Sequence, residues 1–254
     1  MPEEKFICTD KLYHYTTFNS ALKILITQTL QFSYLANMND IYEQSKLFFY
    51  AEDAHHNVSN FFVKEIAKYK QISLTEDSPL DNGRKGFDIP AMWAHYADKG
   101  NGVCLVFDKK KLLRHVRSNW LNGQVKYIRE FDNNIVASEV KTKQDVVNFI
   151  KNKSNEIFLC KSEDWAYEQE FRIVAKTSVR ALDVSDCIMC VLIMERTFEE
   201  LEQRKNIFSK VGYSAYQCSN FLGNILIKDG ENQIYPNHNI EIDLSETPNT
   251  NNYD

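Results

Sequence analysis

GVCLVF, from Gly102 to Phe107, is an unbroken apolar run. Neither face of a strand with this composition offers a side chain that water would solvate well, so the run predicts a buried strand in the centre of a sheet. The segment IPAMWAHYA leads into it. The segment that follows it predicts a helix over about residues 109–117.

Strands and helices follow one another irregularly on both sides of this run. KLYHYT, Lys11–Thr16, predicts a strand, and Thr16 or Thr17 can cap a helix behind it. Asp40 and Glu43 fit a capping box that opens a helical region over about 41–70. Further elements are expected as a helix over 143–160, strands over 167–175 and 188–194, and a helix capped at Thr197 that ends at Gly212.

Because several strands follow one another as hairpins, the sequence predicts an α+β fold. We expect a single α+β domain over residues 1–244 with a mixed or split sheet and helices. Residues 245–254 are polar and predict a disordered tail.

Composition narrows the classes of function. The 254 residues carry a formal charge of -5, which argues against a surface that grips phosphate backbones non-specifically. No segment has the length and hydropathy of a membrane span, and the acidic start MPEEKFICTD does not resemble a signal peptide. The sequence therefore predicts a cytoplasmic protein with no membrane partner.

The six cysteines are scattered, and most lie in apolar stretches. This distribution is typical of free thiols in a reducing compartment. Cys187 and Cys190 form one C-x-x-C pair, but no second pair and no nearby histidine completes a zinc site in the sequence. We therefore expect no metal.

WAYEQEFRIV, Trp165–Val174, holds an unusual row of charges. As a strand it places Phe171 and Ile173 on one face and Glu168, Glu170 and Arg172 on the other, because successive side chains alternate. A solvated sheet edge or an ordinary surface ion pair is the simpler interpretation. A site that meets a positive charge is the alternative, and the charges at Lys161–Asp164 lie just before it.

Four stretches in this order resemble the signature of a bacterial domain-of-unknown-function family, number 2971 among such families. They are LYHYTT, NMNDIYE, MWAHYADKGNGVCLVFD and WAYEQEFRI, spread from about Leu12 to Lys176. The resemblance implies no established activity. It does imply one constellation of residues, namely His14, Asp40, Glu43, Tyr96, Glu168, Glu170 and Arg172.

The start YHYT and the pair EQE also resemble ADP-ribosyltransferases, which bind NAD on a split α+β sheet. This second resemblance implies that His14 grips a ribose and that Glu170 is the catalytic glutamate of a late strand. Glu168 would then position the acceptor. The Ser-Thr-Ser strand usual in the E-x-E class is missing, and Tyr96 and Tyr34 are both candidates to stack on nicotinamide.

These assignments give a candidate site. Glu170 and Glu168 are expected to be catalytic. The remaining members are the cofactor-binding residues His14, Tyr15, Thr16, Tyr96 and Arg172 and the other cleft residues Asp40, Glu43, Trp93 and Trp165. We further expect His14 and Glu170 to lie on neighbouring strands and to face one pocket.

The chemistry of NAD transfer suits such residues. Breaking the nicotinamide–ribose bond builds positive charge on the sugar, which a carboxylate stabilises. Nicotinamide leaves as a neutral base, so an ionised glutamate suffices, and Arg172 should keep its neighbouring carboxylates ionised.

The favoured interpretation is an ADP-ribosyltransferase-like enzyme with NAD as co-substrate, a toxin or defence effector that acts on protein or nucleic acid. One alternative is a phosphodiester-cleaving enzyme in which Asp40, Glu43, Glu168 and Glu170 hold Mg²⁺. Another is a non-catalytic module that binds a nucleotide or a partner protein. Several of these residues also have a structural interpretation. His14 would be a core histidine, and Asp40 and Glu43 would form a helix cap. Trp93, Tyr96 and Trp165 would belong to the core or to the wall of a cleft.

Overall fold

The computed structural model describes residues 10–35, 56–78, 84–129, 140–194, 197–221, 224–229 and 232–234. Contacts divide the chain into two units. Unit 1 is made of Met1–Leu30, Leu74–His115 and Asp183–Asp254, and unit 2 is made of Gln31–Ser73 and Val116–Leu182. The predicted cap at Asp40 and Glu43 and the tail over 245–254 lie outside the described residues, and the single domain over 1–244 stays a prediction.

Helices and strands alternate irregularly, which confirms the α+β class. The α-helices are α1 (Phe18–Thr27), α2 (His56–Ile66), α3 (Pro90–Tyr96), α4 (Lys109–His115), α5 (Lys143–Asn152), α6 (Ser154–Phe158) and α7 (Phe198–Lys210). Short 3-10 helices lie at Asp98–Gly100 and Glu163–Glu168.

The strands of the first half are β1 (Lys11–Thr16), β2 (Thr29–Gln31), β3 (Ser33–Tyr34), β4 (Tyr69–Glu76), β5 (Val103–Asp108), β6 (Leu121–Gln124) and β7 (Lys126–Ile128). Those of the second half are β8 (Cys160–Ser162), β9 (Glu170–Lys176), β10 (Ala181–Asp183), β11 (Ile188–Met194), β12 (Ala215–Phe221), β13 (Asn224–Asp229) and β14 (Asn232–Ile234).

The apolar run GVCLVF forms the centre of the sheet in unit 1. Every residue from Val103 to Phe107 has an exposed fraction of 0%. β5 pairs antiparallel with β1 on one side and with β11 on the other, so its backbone is satisfied on both edges. The predicted central strand is therefore confirmed.

The sheet of unit 1 is mixed, with strand order β14-β13-β12-β11-β5-β1-β4. The pair β11 and β12 is parallel, whereas β12–β13 and β13–β14 are antiparallel. A parallel pair requires a crossover connection, and α7 supplies it between β11 and β12. The strand predicted over 188–194 is confirmed with those bounds.

Helix ends follow the predicted capping residues. Thr17 is the N-cap of α1, and its hydroxyl oxygen accepts a hydrogen bond from the backbone N–H of Ser20. Thr197 does the same for α7 through Glu200. Gly212 follows that helix at φ +88°, a left-handed conformation that glycine adopts without a Cβ clash.

Unit 2 packs helices α2, α5 and α6 around a cluster of apolar side chains. Its buried members are Val58, Phe62, Ile66, Val140, Val146, Ile150, Phe158, Leu159 and Val174. The last of these lies on β9, which is placed between β4 and β6 in the sheet. At the end of β9, the Lys176 ammonium contacts the buried carboxylate of Glu65 on α2. This unit therefore holds β9 by packing and by an ion pair.

In the part of the chain that the structure describes, no helix has the length and apolar character needed to cross a bilayer.

Gly102 supports a test of how tightly β1 and the entry to β5 are packed. A Cβ on Gly102 would lie 2.2 Å from the carbonyl oxygen of Thr16 and 2.8 Å from the carbonyl carbon of Ala97. Because both atoms belong to the backbone, we expect Gly102→Ala to lower the free energy of unfolding by about 1–3 kcal/mol in urea denaturation.

Gly123→Ala is the matched control, because its Cβ would meet only the end of the flexible Leu159 side chain, at 3.1 Å. We expect the control to change stability much less. Equal stability of Gly102→Ala and wild type would contradict the close approach of these backbones.

Candidate functional site

The chain turns sharply just before β9. Ser162 caps the 3-10 helix Glu163–Glu168, and Gln169 follows in the left-handed conformation with φ 47°. The strand therefore begins at Glu170, not at residue 167. The prediction that Glu168 shares one strand row with Glu170 and Arg172 is wrong, because side-chain alternation does not extend through a left-handed residue.

β9 is covered on both faces. All residues from Glu170 to Ala175 are buried, including Phe171 and Ile173 on the apolar face of the strand. The same observation excludes a solvated edge for Glu170 and Arg172, whose exposed fractions are 4% and 2%. Two formal charges in such a place require compensation by charge and by hydrogen bonds.

The compensation comes from a cluster of four charged side chains in unit 2, Lys161, Glu168, Glu170 and Arg172, here called the charge cluster. Arg172 donates from Nε to Oε1 of Glu170 at 2.7 Å and from Nη2 to Oε2 at 2.8 Å. Lys161 Nζ donates to Oε2 of Glu168 at 2.5 Å and lies 3.5 Å from Oε2 of Glu170. Two cations therefore face two carboxylates, and the formal charge of the cluster is zero.

Neighbouring groups complete this arrangement. The third guanidinium nitrogen, Nη1 of Arg172, donates to the carbonyl oxygen of Phe158 at 2.9 Å. The backbone N–H of Glu170 donates to the hydroxyl of Tyr127 at 2.8 Å. The ammonium of Lys161 lies 4.7 Å from the ring centre of Trp165, a cation–π contact. The cluster thus links β7, β8, α6, the 3-10 helix and β9.

The charge state of Glu170 follows from these contacts. Burial by itself raises the pKa of this carboxyl. The charge and hydrogen bonds of Arg172, the charge of Lys161 and a hydrogen bond from Ser73 outweigh burial, so the pKa lies below its ordinary value. Glu170 is therefore ionised at neutral pH, as the sequence predicted. A general acid would need the opposite shift.

His14 lies in unit 1, on β1. It is partly buried, whereas its neighbours Tyr13 and Tyr15 are buried. The hydroxyl of Tyr15 donates to the carbonyl oxygen of Gly86 at 2.6 Å, and its ring meets that of Trp93 edge-on at 5.3 Å. Tyr15 and Trp93 thus have the contacts of core residues. Thr16 is partly buried at the end of the strand, one residue before the cap of α1.

The other two predicted tyrosines, Tyr96 and Tyr34, lie on elements other than β1 and β9. Tyr96 is the last residue of α3 and is partly buried. Tyr34 has an exposed fraction of 52%, and the ammonium of Lys70 lies 4.9 Å from its ring centre. Asp40 and Glu43 lie outside the described residues.

Two groups of predicted residues therefore occur. In unit 1 the structure brings Tyr15, which lies on the same strand as His14, into contact with Trp93. In unit 2 it brings together Glu168, Glu170, Arg172 and Trp165. The prediction that His14 and Glu170 lie on neighbouring strands is wrong, because β4 and β5 occupy both edges of β1. That the two residues face one pocket stays a prediction.

The magnesium alternative loses support in the part of the chain that the structure describes. Glu168 and Glu170 already face Lys161 and Arg172, so a divalent cation would have to displace these cations from their carboxylates.

The sequence analysis noted Lys161 only as one of the charges at Lys161–Asp164, and it did not identify Tyr127 or the carbonyl oxygen of Phe158 as partners of β9. No local sequence pattern marks these two contacts.

Comparison with known families adds one match. Residues 92–173 match the model of a family described as "Protein of unknown function (DUF2971)". The resemblance predicted from the motifs is thereby confirmed over this part of the chain.

The DUF2971 match runs from α3 to β9, so it includes Trp93, Tyr96 and the whole charge cluster and does not include His14. Comparison with curated proteins and with solved structures found no match. The resemblance to ADP-ribosyltransferases stays a prediction.

The ion pair between Arg172 and Glu170 can be tested by removing the guanidinium. Arg172→Met keeps a long side chain but leaves the Glu170 carboxylate buried without its main partner. We expect the free energy of unfolding at pH 7 to fall by about 3–5 kcal/mol, measured by urea denaturation.

The pH dependence has a definite sign. Since the folded-state pKa of Glu170 is lowered, its contribution to wild-type stability is present above the ordinary pKa of about 4.3 and is lost as the pH falls through the folded-state value. The deficit of Arg172→Met is therefore largest at neutral pH and shrinks in acid.

Arg129→Met is a control with the same distance from Nε to a carboxylate, because Arg129 Nε also lies 2.7 Å from a glutamate oxygen, that of Glu163. That pair is exposed, so its loss should change stability little. A deficit of equal size in both variants would contradict the stabilising role of the buried pair.

Proposed function

We propose that the chain is an ADP-ribosyltransferase-like protein that binds NAD through β1 and the start of α1. The observation that carries the proposal is the position of His14 and Thr16. They occupy alternate positions of β1 and are both partly exposed, His14 between the buried residues Tyr13 and Tyr15, and the strand leads directly into a helix.

The arrangement matches the chemistry of a dinucleotide. An imidazole and a hydroxyl can each form a hydrogen bond with ribose hydroxyls. The first turn of α1 contains no acidic residue that would offset the positive end of the helix dipole. A helix start of this kind favours a diphosphate, and NAD contains both groups.

The catalytic step makes a stricter demand. A carboxylate stabilises the developing sugar cation only to the extent that its negative charge is not already compensated. Glu170 is bound by Arg172 through two hydrogen bonds and lies near Lys161. For Glu170 to act on the sugar, as the resemblance implies, these cations must move away from it during the reaction.

Because Arg172 and Lys161 already compensate the charge of Glu170, a second candidate is favoured, a non-catalytic module that binds a nucleotide. In that case the charge cluster stabilises unit 2 and has no contact with a substrate. A toxin or defence role and a protein or nucleic-acid acceptor belong only to the first candidate.

Calorimetry with NAD and an assay for nicotinamide release separate these candidates. We expect wild type to bind NAD and His14→Ala to bind it about tenfold more weakly, because one hydrogen bond of roughly 1.4 kcal/mol is lost. Thr16→Val should weaken binding similarly. Nicotinamide release by wild type indicates the transferase, and binding without release indicates the module.

Ile26→Ala is the matched control. It lies in the last turn of the same helix with an exposed fraction of 67%, about 12 Å from the helix start at 1.5 Å per residue. It should bind NAD like wild type. Absence of NAD binding by wild type, or equal binding by His14→Ala and wild type, would overturn the proposal. Glu170→Gln is a poor probe of catalysis, since it leaves the buried Arg172 without its anion.

A further inference from the structure

A group of side chains in unit 1 brings a histidine, two aspartates and a cysteine together. His115 is the last residue of α4, Asp183 ends β10, and Asp186 and Cys187 lie just before β11. His115 Nε2 lies 2.6 Å from Oδ1 of Asp186, and Cys187 Sγ lies 3.4 Å from the same oxygen. The three ligand atoms of His115, Asp186 and Cys187 all lie within 4.8 Å of one another.

Backbone hydrogen bonds fix this group in place. The N–H of Asp108, just before α4, donates to the carbonyl oxygen of Cys187 at 2.9 Å. The N–H of Cys187 donates to the carbonyl oxygen of Val184 at 3.1 Å, and the N–H of Ser185 donates to Oδ1 of Asp183 at 3.0 Å. The turn over 183–187 is therefore tied to itself and to the start of the helix that carries His115.

We propose that His115, Asp186 and Cys187 form a binding site for a transition-metal ion of the zinc class. The ligands would be Nε2 of His115, a carboxylate oxygen of Asp186 and Sγ of Cys187, with water in the fourth position. This inference is independent of NAD binding and concerns residues outside the candidate site described above.

The ligand set selects the class of metal. A thiolate, an imidazole and a carboxylate suit Zn²⁺ and its neighbours, whereas Mg²⁺ and Ca²⁺ prefer oxygen ligands alone. Tetrahedral coordination at about 2.0–2.3 Å places ligand atoms roughly 3–4 Å apart. The distance between Cys187 Sγ and Asp186 Oδ1, 3.4 Å, already lies in this range. The distance between His115 Nε2 and Asp186 Oδ1 must open from 2.6 Å, and the distance between His115 and Cys187, which is at most 4.8 Å, must also fall within the range.

Asp183 lies where the outer partner of a metal-bound histidine is commonly found. Its Oδ2 lies 3.8 Å from Nδ1 of His115, which is an ion-pair distance and longer than a hydrogen bond. A rotation of the exposed Asp183 side chain would let it accept the Nδ1 proton, and that contact would keep Nε2 available for a metal.

Access to solvent is consistent with the site. The side chains of Asp186 and His115 have exposed fractions of 53% and 25%, so an ion can arrive from solvent, although Cys187 is buried. Binding through Sγ of Cys187 would release the thiol proton to solvent.

Cys190 is not part of this group, although C-x-x-C spacing links it to Cys187. It lies on β11 with an exposed fraction of 0%. The relevant histidine is distant in sequence, which is why no metal was expected from spacing alone.

Titration of the metal-free chain with Co²⁺ tests the proposal. We expect one equivalent to bind, with a near-ultraviolet thiolate-to-cobalt charge-transfer band and visible bands typical of four-coordinate cobalt. Zn²⁺ should displace the cobalt. Cys187→Ser should abolish the charge-transfer band, and His115→Gln should weaken binding by at least about tenfold. Asp183→Asn should weaken it by about 10–100-fold while the band remains.

Cys160→Ser is the matched control, because it removes a partly buried thiol in unit 2 and should leave the band unchanged. Circular dichroism of each variant shows whether it is folded. Failure of wild type to bind Co²⁺ stoichiometrically, or an unchanged band in folded Cys187→Ser, would overturn the proposal.

Discussion

The ion pair between Arg172 and Glu170, two residues apart on the buried strand β9, constrains the structure of unit 2. Arg172 has an exposed fraction of 2%, and such a group is tolerated only when its donors have acceptors and its charge has a partner. Glu170 supplies two acceptors and the charge, and Phe158 supplies a carbonyl oxygen. These hydrogen bonds tie β9 to the end of α6.

The same requirement governs what the carboxylates can do. Because Glu170 and Glu168 each face a cation, the cluster presents no net charge to a ligand. Carboxylates in an E-x-E motif therefore cannot be equated with a free catalytic pair, even when the sequence pattern resembles one. The geometry instead directs attention to two other places in unit 1, the polar positions of β1 and the group around His115.

Sequence reasoning succeeded where local chemistry determines structure. The apolar run at Val103–Phe107 predicted the central strand, and Thr17, Thr197 and Gly212 predicted helix ends, because caps and continuous apolar runs act over a few residues. It failed where one residue breaks a pattern or where partners are distant in sequence. The left-handed conformation of Gln169 removed Glu168 from the strand, and nothing near Cys187 indicated that His115 would contact its neighbour Asp186.

The charge state of Glu170 tests the central claim most directly. Carbon-13 NMR of the glutamate carboxyl groups, with the Glu170 signal assigned through the resonances of its own side chain and backbone, follows its titration in the folded chain. The buried ion cluster predicts that this carboxyl remains ionised to a pH below the ordinary glutamate pKa of about 4.3. A pKa above that value would mean that burial outweighs Arg172 and Lys161, and it would contradict the account.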